Sequence, residues 1–166
     1  MTQPFVAILM GSKSDLPILQ ICVDQLKLLD IPYEVNILSA HRSPQQTQAY
    51  VHDASERGCA VFIAAAGLAA HLAGAVSAQT IKPVIGIPLD AGSLGGLDAL
   101  LATVQMPGGM PVATTAIGKP GAKNAAILAA QILALQDKTI AEALQNQRDQ
   151  NLAKLLADNA NLKSQV

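Results

Sequence analysis

The sequence predicts one three-layer α/β domain, in which a doubly wound parallel sheet is covered by helices on both faces, with an additional helix at the carboxyl end. Five apolar runs of strand length are each followed by a turn signal and then a helical pattern, which is the order of βα units. The runs are almost continuously apolar, as in parallel strands that are buried on both faces. With 166 residues, 51% of them hydrophobic, the chain is long enough to bury one such core.

The predicted strands and helices alternate along the chain. The strands are residues 5–10, 33–38, 60–65, 83–87 and 111–117. The helices between and after them are residues 15–29, a second helix that stops at Gly58, and residues 74–80, 97–105 and 122–135. Apolar residues at helical spacing predict the first helix: Leu16, Leu19, Cys22, Val23, Leu26 and Leu29. The second is expected to begin with Ser43 as N-cap and Pro44 as its first residue, and Gln46 completes a capping box.

Residues 58–81 contain no Asp, Glu, Lys or Arg, and the stretch is long enough to raise the alternative of a membrane span. It is rich in Ala rather than Leu and is interrupted by Gly67, His71 and Gly74, which favours a buried strand followed by a buried helix. A helix that is apolar on all sides needs more cover than a monomer of 166 residues easily supplies. The stretch therefore predicts a homo-oligomer.

Residues 139–163 form a sixth predicted helix, rich in Gln, Asn and Ala. Its apolar residues make a thin, interrupted stripe: Ile140, Leu144, Leu152, Leu155, Leu156 and Leu162. Such a helix is marginal alone. Two alternatives are open, namely packing against a neighbouring subunit and a solvated helix with frayed ends.

Composition restricts the partners and the compartment. The formal net charge is −1, so the chain has no cationic field to attract nucleic acid or an anionic membrane surface, and a small-molecule partner is favoured. Cys22 and Cys59 lack CxxC spacing and are interpreted as buried small hydrophobic residues in a reducing compartment. The first residues have no basic start and only a short apolar run, so we expect a cytoplasmic protein.

Three polar loops are expected to meet at the carboxyl edge of the sheet. A sheet of order 2-1-3-4-5 binds ligands at the switch point between its first and third strands. The loops read GSKSD (11–15), SAHRS (39–43) and AGLAAHLAG (66–74). They contain the candidate site residues Gly11, Ser12, Ser14, Asp15, Ser39, His41, Arg42, Ala66, Gly67, His71 and Leu72. The first loop suits an anion because it offers hydroxyls and helix N-terminal amides, with helix capping by Ser14 and Asp15 as the alternative.

Arg42 and the histidines carry the chemistry of these loops. A cation just before a helix start is unfavourable by about 0.3–1 kcal/mol unless an anion lies between them, and a bound phosphate would supply that anion. A solvated arginine is the alternative. His41 and His71 suit proton transfer near neutral pH, whereas His52 is interpreted as a surface residue. The sequence has no GxGxxG, P-loop, GxSxG or HExxH signature, so it gives no indication of a nicotinamide, a nucleoside triphosphate or a metal.

Five segments resemble class I N5-carboxyaminoimidazole ribonucleotide mutases, enzymes of purine biosynthesis that move a carboxylate from N5 to C4 of an aminoimidazole ribonucleotide. They are MGSKSD (10–15), SAHRSP (39–44), AAHLAG (69–74), KPVIGIP (82–88) and residues 96–133. The resemblance covers about residues 5–135. It implies a flavodoxin-like catalytic domain, residues 1–136, and a homo-octamer in which the carboxy-terminal helix, residues 137–166, packs on neighbouring subunits.

The resemblance also implies residue roles. Ser12, Asp15 and Arg42 match substrate-binding residues, His41 matches the catalytic histidine, and His71 matches the histidine of the third loop. In the family the carbamate is thought to release carbon dioxide, which a closed pocket retains until imidazole C4 attacks it. His41 would carry the proton between C4 and N5. This path implies no ATP, biotin or metal cofactor.

Three residues depart from the family pattern, because Ala65, Leu68 and Ala73 stand where it usually has Gly, Gly and Pro. If the position of Leu68 needs φ > 0, a leucine there costs about 1–2 kcal/mol, and the loop is expected to be reshaped. Two alternative functions are open. One is a class II aminoimidazole ribonucleotide carboxylase that uses carbon dioxide directly, and the other is a non-catalytic nucleotide-phosphate binding module on the same fold.

Overall fold

The computed structural model describes residues 4–163 and confirms the predicted sheet. Its five strands are parallel and lie in the order β2-β1-β3-β4-β5. They are β1 (Phe5–Met10), β2 (Tyr33–Ile37), β3 (Cys59–Gly67), β4 (Val84–Leu89) and β5 (Ala113–Thr114). The helices are α1 (Leu16–Leu28), α2 (Pro44–Glu56), α3 (Leu72–Ser77), α4 (Leu97–Val104), α5 (Lys119–Ala134) and α6 (Lys138–Lys163). Residues 1–3 and 164–166 of the predicted domains lie outside the described residues.

The sheet separates two apolar layers, because successive side chains of a strand point to opposite faces. On one face, Ile8 of β1 lies in a core with Leu19 of α1 and Ala126 of α5. On the other face, Leu9 lies in a core with Val51 of α2. Every residue of β1 and β4 is buried. The two layers therefore hold the carboxyl ends of the central strands in fixed positions along one edge.

The edge strand β5 is shorter than predicted. The sequence predicts a strand over residues 111–117, whereas β5 contains only Ala113–Thr114. Pro111 has no backbone N–H with which to join the ladder. Beyond β5 the chain stays near β4 through irregularly spaced bonds, in which Thr115 N–H donates to Gly86 O at 3.0 Å and Gly118 N–H donates to Pro88 O at 2.9 Å.

The uncharged residues 58–81 form β3 and the six-residue helix α3, in agreement with a strand followed by a helix. Helix α3 begins at Leu72, earlier than predicted, and Leu72, Ala73 and Val76 are all buried within the same chain. The inner face of α3 is therefore covered by its own chain, whereas Leu68 and Ile81 of the same stretch are exposed, and the predicted homo-oligomer stays a prediction. Within residues 4–163, no helix is both long and apolar enough to cross a bilayer.

Helix α6 divides into a packed half and an exposed half. The predicted apolar face of α1 is buried except at Leu16, and Gln25 of α1 is buried as well. Gln25 and Gln147 of α6 exchange two amide hydrogen bonds of 3.2 and 3.3 Å. Ile140 and Leu144 of α6 pack on the same core. Residues 148–163 are all exposed, so only the second half of α6 is left for a neighbouring subunit.

Gly121 allows the first turn of α5 to approach the preceding loop. A Cβ at this residue would lie 1.7 Å from Ala116 O and 2.7 Å from Ala116 C, so the backbone would have to move. We expect Gly121→Ala to lower the free energy of unfolding, measured by urea denaturation, by about 1–3 kcal/mol, the usual cost of overpacking. Gly108→Ala is the matched control, because a Cβ there meets no heavy atom within 4 Å. Equal destabilisation of the two variants would contradict this interpretation.

Candidate active site

The loops after β1, β2 and β3 meet at the carboxyl edge of the sheet and line a cavity of about 380 Å³. Every residue predicted for the site lines it: Gly11, Ser12, Ser14, Asp15, Ser39, His41, Arg42, Ala66, Gly67, His71 and Leu72. Ala40, Leu68 and Ala69 of the same loops also line it, and Ala91 joins from the loop after β4. Ala91 was missed because an alanine carries no chemical signal. The one available hint was that its loop leaves the same edge of the sheet.

A capping box holds the first loop. Asp15 Oδ2 accepts the backbone N–H of Ser12 at 3.0 Å. The Ser12 hydroxyl accepts the backbone N–H and the hydroxyl of Ser14, at 3.4 and 2.9 Å. The capping alternative for Asp15 is therefore present, but at the short 3₁₀ turn Lys13–Asp15 and not at α1, where Asp15 makes no side-chain cap. The two hydrogen bonds between Ser14 and the Ser12 hydroxyl are exposed, so they can be replaced by hydrogen bonds to a ligand at little net cost in free energy.

The second loop closes on itself through Ser39 and Ser43. Ser43 makes no side-chain cap on α2, so the predicted capping box with Gln46 is wrong. Instead, Ser43 Oγ accepts the N–H of Ser39 at 2.9 Å and donates to Ser39 O at 3.2 Å. The Thr47 hydroxyl donates to Ser43 O at 2.9 Å, which joins this closed loop to α2. The loop thereby presents residues 41 and 42 at the cavity.

Arg42 reaches from the second loop to the first. Its Nη2 donates to Gly11 O at 2.5 Å, and its Nε donates to Ser39 Oγ at 3.5 Å. In the part of the chain that the structure describes, ion pairs involve His52 and Arg57, and no carboxylate pairs with Arg42. A guanidinium has five N–H donors, so Arg42 retains donors and an unneutralised charge for an anion in the cavity.

His41 and His71 lie in direct contact at the cavity. His41 Nε2 is 2.8 Å from His71 Nδ1, and the ring centroids are 4.9 Å apart at an interplanar angle of 80°. One of these two nitrogens must donate and the other accept, so the contact fixes the orientation of each ring relative to the other. Two imidazoles held together at a cavity are suited to proton transfer to and from a ligand. His52 lies apart on the surface of α2, as predicted, 3.4 Å from Glu56.

Leu68 has a left-handed backbone, with φ 55°, as expected if its position requires a positive φ. This conformation costs a leucine about 1–2 kcal/mol. The side chain is 54% exposed, so burial in the core does not offset the cost. The other two departures from the family pattern, Ala65 and Ala73, are buried in β3 and α3. Leu68 is thus the departure that changes the wall of the cavity.

The cysteines do not belong to the cavity. Cys22 and Cys59 are unpaired and buried, as predicted. Burial raises the pKa of the Cys22 thiol to about 12 and that of the Cys59 thiol to about 11, so both are protonated and unreactive at neutral pH. Within residues 4–163, no group of three or more His, Cys, Asp or Glu side chains is arranged to hold a metal ion.

The chain is similar to known proteins over most of its length. Residues 5–154 match the family model described as AIR carboxylase. The chain is 51% identical over 147 residues to the N5-carboxyaminoimidazole ribonucleotide mutase of Bacillus subtilis, which covers 89% of this chain and 91% of that protein. It is 48% identical over 143 residues to the Escherichia coli K12 protein of the same name, which covers 86% and 85%. The solved structure of Treponema denticola PurE matches with a TM-score of 0.88 and 31% identity, over 97% of this chain and 99% of that one.

Proposed function

The chain belongs to the AIR carboxylase family, and from this premise we propose that it is an N5-carboxyaminoimidazole ribonucleotide mutase. It isomerises its substrate by moving the carboxylate from N5 to C4 of the aminoimidazole ring, a reaction of de novo purine biosynthesis. Relatives with this name are 51% and 48% identical over most of the chain. At the site, the observation that carries the proposal is the 2.8 Å contact of His41 with His71 in the cavity that Arg42 also lines.

Arg42 and the first loop are proposed to bind the ribonucleotide. The Arg42 guanidinium has no carboxylate partner among the described residues, which supports a role in binding the phosphate. Ser12 and Ser14 offer hydroxyls at the cavity, and Asp15 Oδ1, which accepts the Ser14 hydroxyl at 3.3 Å, can accept a ribose hydroxyl instead. The unpaired positive charge of Arg42 favours a substrate that has an anionic group at one end.

His41 is proposed to carry the proton that the isomerisation moves. Cleavage of the bond between N5 and the carboxylate releases carbon dioxide, and the His41 imidazolium protonates N5. Carbon dioxide then forms a bond to C4, and the proton of C4 returns to His41. All atoms and protons are recovered in the product, and the imidazolium is regenerated. His71 contacts His41 Nε2 and is proposed to hold the His41 ring in position for this proton transfer.

Carbon dioxide arrives within the substrate on this path, so we propose that no cofactor takes part. The experiment assays the purified chain by ultraviolet absorbance on N5-carboxyaminoimidazole ribonucleotide and on aminoimidazole ribonucleotide. Carbon dioxide is scavenged in one arm, and bicarbonate is supplied in the other. We expect conversion of the carbamate without added bicarbonate. Faster turnover of aminoimidazole ribonucleotide with bicarbonate would assign the class II carboxylase instead, and binding without turnover would assign the non-catalytic module.

We also propose that the enzyme works in the cytoplasm as a homo-octamer. The two free, buried thiols are typical of a reducing compartment. Helix α4 presents Leu97, Leu101 and Val104 at helical spacing, and each is about half exposed, at 52%, 48% and 47%. The second half of α6 adds four exposed leucines at positions 152, 155, 156 and 162. Exposed apolar side chains at helical spacing on these two helices favour burial against other copies of the chain.

Light scattering is expected to give a particle several times larger than the 17.2 kDa chain. A chain that ends at Gln147 keeps the packed half of α6 and loses the exposed half. It should therefore still unfold cooperatively, as an intact domain does. Its assembly should dissociate at a higher protein concentration than that of the full chain. A stable full-length monomer at micromolar concentration would contradict the proposed oligomer. Equally tight assembly of both chains would show that residues 148–163 take no part in assembly.

A further inference from the structure

The loops that leave β3 and β4 touch at two points where a glycine removes the space for a side chain. Gly67 and Leu89 are the last paired residues of these strands. A Cβ at Gly67 would lie 2.7 Å from Ala91 Cβ, and a Cβ at Gly92 would lie 2.6 Å from Leu68 Cδ2. Each loop therefore contributes one glycine and one side chain, and Leu68 lies directly against the backbone of Gly92.

The loop of residues 90–96, which connects β4 to α4, has few other attachments. Gly92, Gly95 and Gly96 have φ of 76°, 58° and 82°, and residues 92–95 are exposed. Within the described chain, the carbonyls of the loop accept two backbone bonds, Leu97 N–H to Leu94 O and Leu100 N–H to Gly96 O, and the side chains of Asp90 and Ser93 make no hydrogen bond. A segment with exposed backbone and few contacts opens at low free-energy cost. Gly96 is buried and fixes the end of the loop at α4, so the position of the exposed part depends on the contacts of residues 91 and 92.

We propose that Leu68 is a positioning residue, whose side chain rests on Gly92 and fixes the loop of residues 90–96 beside the cavity. A leucine with φ 55° persists only where its surroundings hold it there, and the contact with Gly92 is such a surrounding. Ala91, adjacent to Gly92, lines the cavity, so the position of the loop sets one wall of the site. The consequence for catalysis rests on the proposed function, whereas the consequence for the loop does not.

Hydrogen exchange without substrate tests the contact itself. Leu68→Gly is expected to speed exchange of the Leu97 amide, which donates to Leu94 O, about tenfold and to leave exchange in β1 unchanged, which separates loop release from general destabilisation. Leu68→Met keeps an apolar side chain of similar reach and should exchange like the parent. Unchanged exchange of the Leu97 amide in Leu68→Gly would overturn the proposal, whether or not the chain proves to be a mutase.

Kinetics on the carbamate test the consequence for the site. Gly92→Ala places a methyl group against Leu68 and should raise KM about tenfold with a smaller change in kcat, because the displaced wall weakens binding. Adding Leu68→Gly removes the clash and should recover part of that loss. Gly95→Ala is the matched control, since Gly95 also has a positive φ but a Cβ there meets nothing within 4 Å. Strictly additive effects of Leu68→Gly and Gly92→Ala on KM would overturn the coupling. An equal recovery of KM when Leu68→Gly is added to Gly95→Ala would also overturn it.

Discussion

His41→Asn is expected to lower kcat on N5-carboxyaminoimidazole ribonucleotide by about 10²–10⁴-fold, the usual contribution of a positioned acid or base. Asparagine can occupy the place of the imidazole and donate a hydrogen bond, but it cannot carry a proton from C4 to N5. Because the ring is exposed at the cavity and buries little surface, the variant should keep its fold and bind substrate within about threefold of the parent. Turnover is followed by absorbance, and binding by calorimetry.

His52→Asn is the matched control, because it makes the same chemical change on the surface of α2. We expect it to retain full activity. His71→Asn should fall between the two, since it removes the neighbour of His41 Nε2 but leaves the proton carrier in place. Full activity of His41→Asn would exclude the proton-transfer role, and equal loss of binding and turnover would indicate that His41 holds substrate instead.

The strands could be predicted because buried parallel strands leave apolar runs that can be counted along the sequence, and their order followed from assigning the chain to the doubly wound fold. The boundaries that failed depend on contacts between distant residues. Gly74 indicated the start of α3, yet it lies inside that helix, where Met106 Sδ packs within 3.3 Å of the place of a Cβ. Burial can depend on a distant partner as well. Gln25 is of a residue type that is usually exposed, but it is buried because Gln147, 122 residues away, satisfies its amide. Neither partner can be identified from local pattern.

The membership of the cavity could be predicted because sheet order determines which loops converge. The hydrogen bonds within it could not. Ser43 has the local signature of an N-cap, but its hydroxyl bonds Ser39 instead, since both ends of the short loop lie within reach. The contact of His41 with His71 depends on how two loops are placed across the edge of the sheet, and spacing in the sequence carries no record of that distance.

Arg42→Ala is expected to weaken binding of the ribonucleotide by about 1.5–3 kcal/mol, the range for a charge-assisted hydrogen bond, which is roughly 10- to 150-fold in Kd. The physical reason is that the guanidinium has no carboxylate partner among the described residues and is available to a phosphate. Arg148→Ala, on the exposed part of α6, is the matched control and should bind as the parent does. Calorimetric titration at two salt concentrations gives the affinities, and the loss should shrink as salt screens the charge.

The nucleoside that lacks the phosphate separates binding from scaffolding. Arg42 also donates to Gly11 O and so connects the first two loops, and its removal could weaken any ligand by loosening them. If Arg42 binds the phosphate, Arg42→Ala and removal of the phosphate from the ligand each cost affinity, but the two losses together are no larger than either alone. If Arg42 only supports the loops, the losses add. Additive losses would exclude Arg42 as the phosphate ligand and leave the anion to the hydroxyls and amides of residues 11–15.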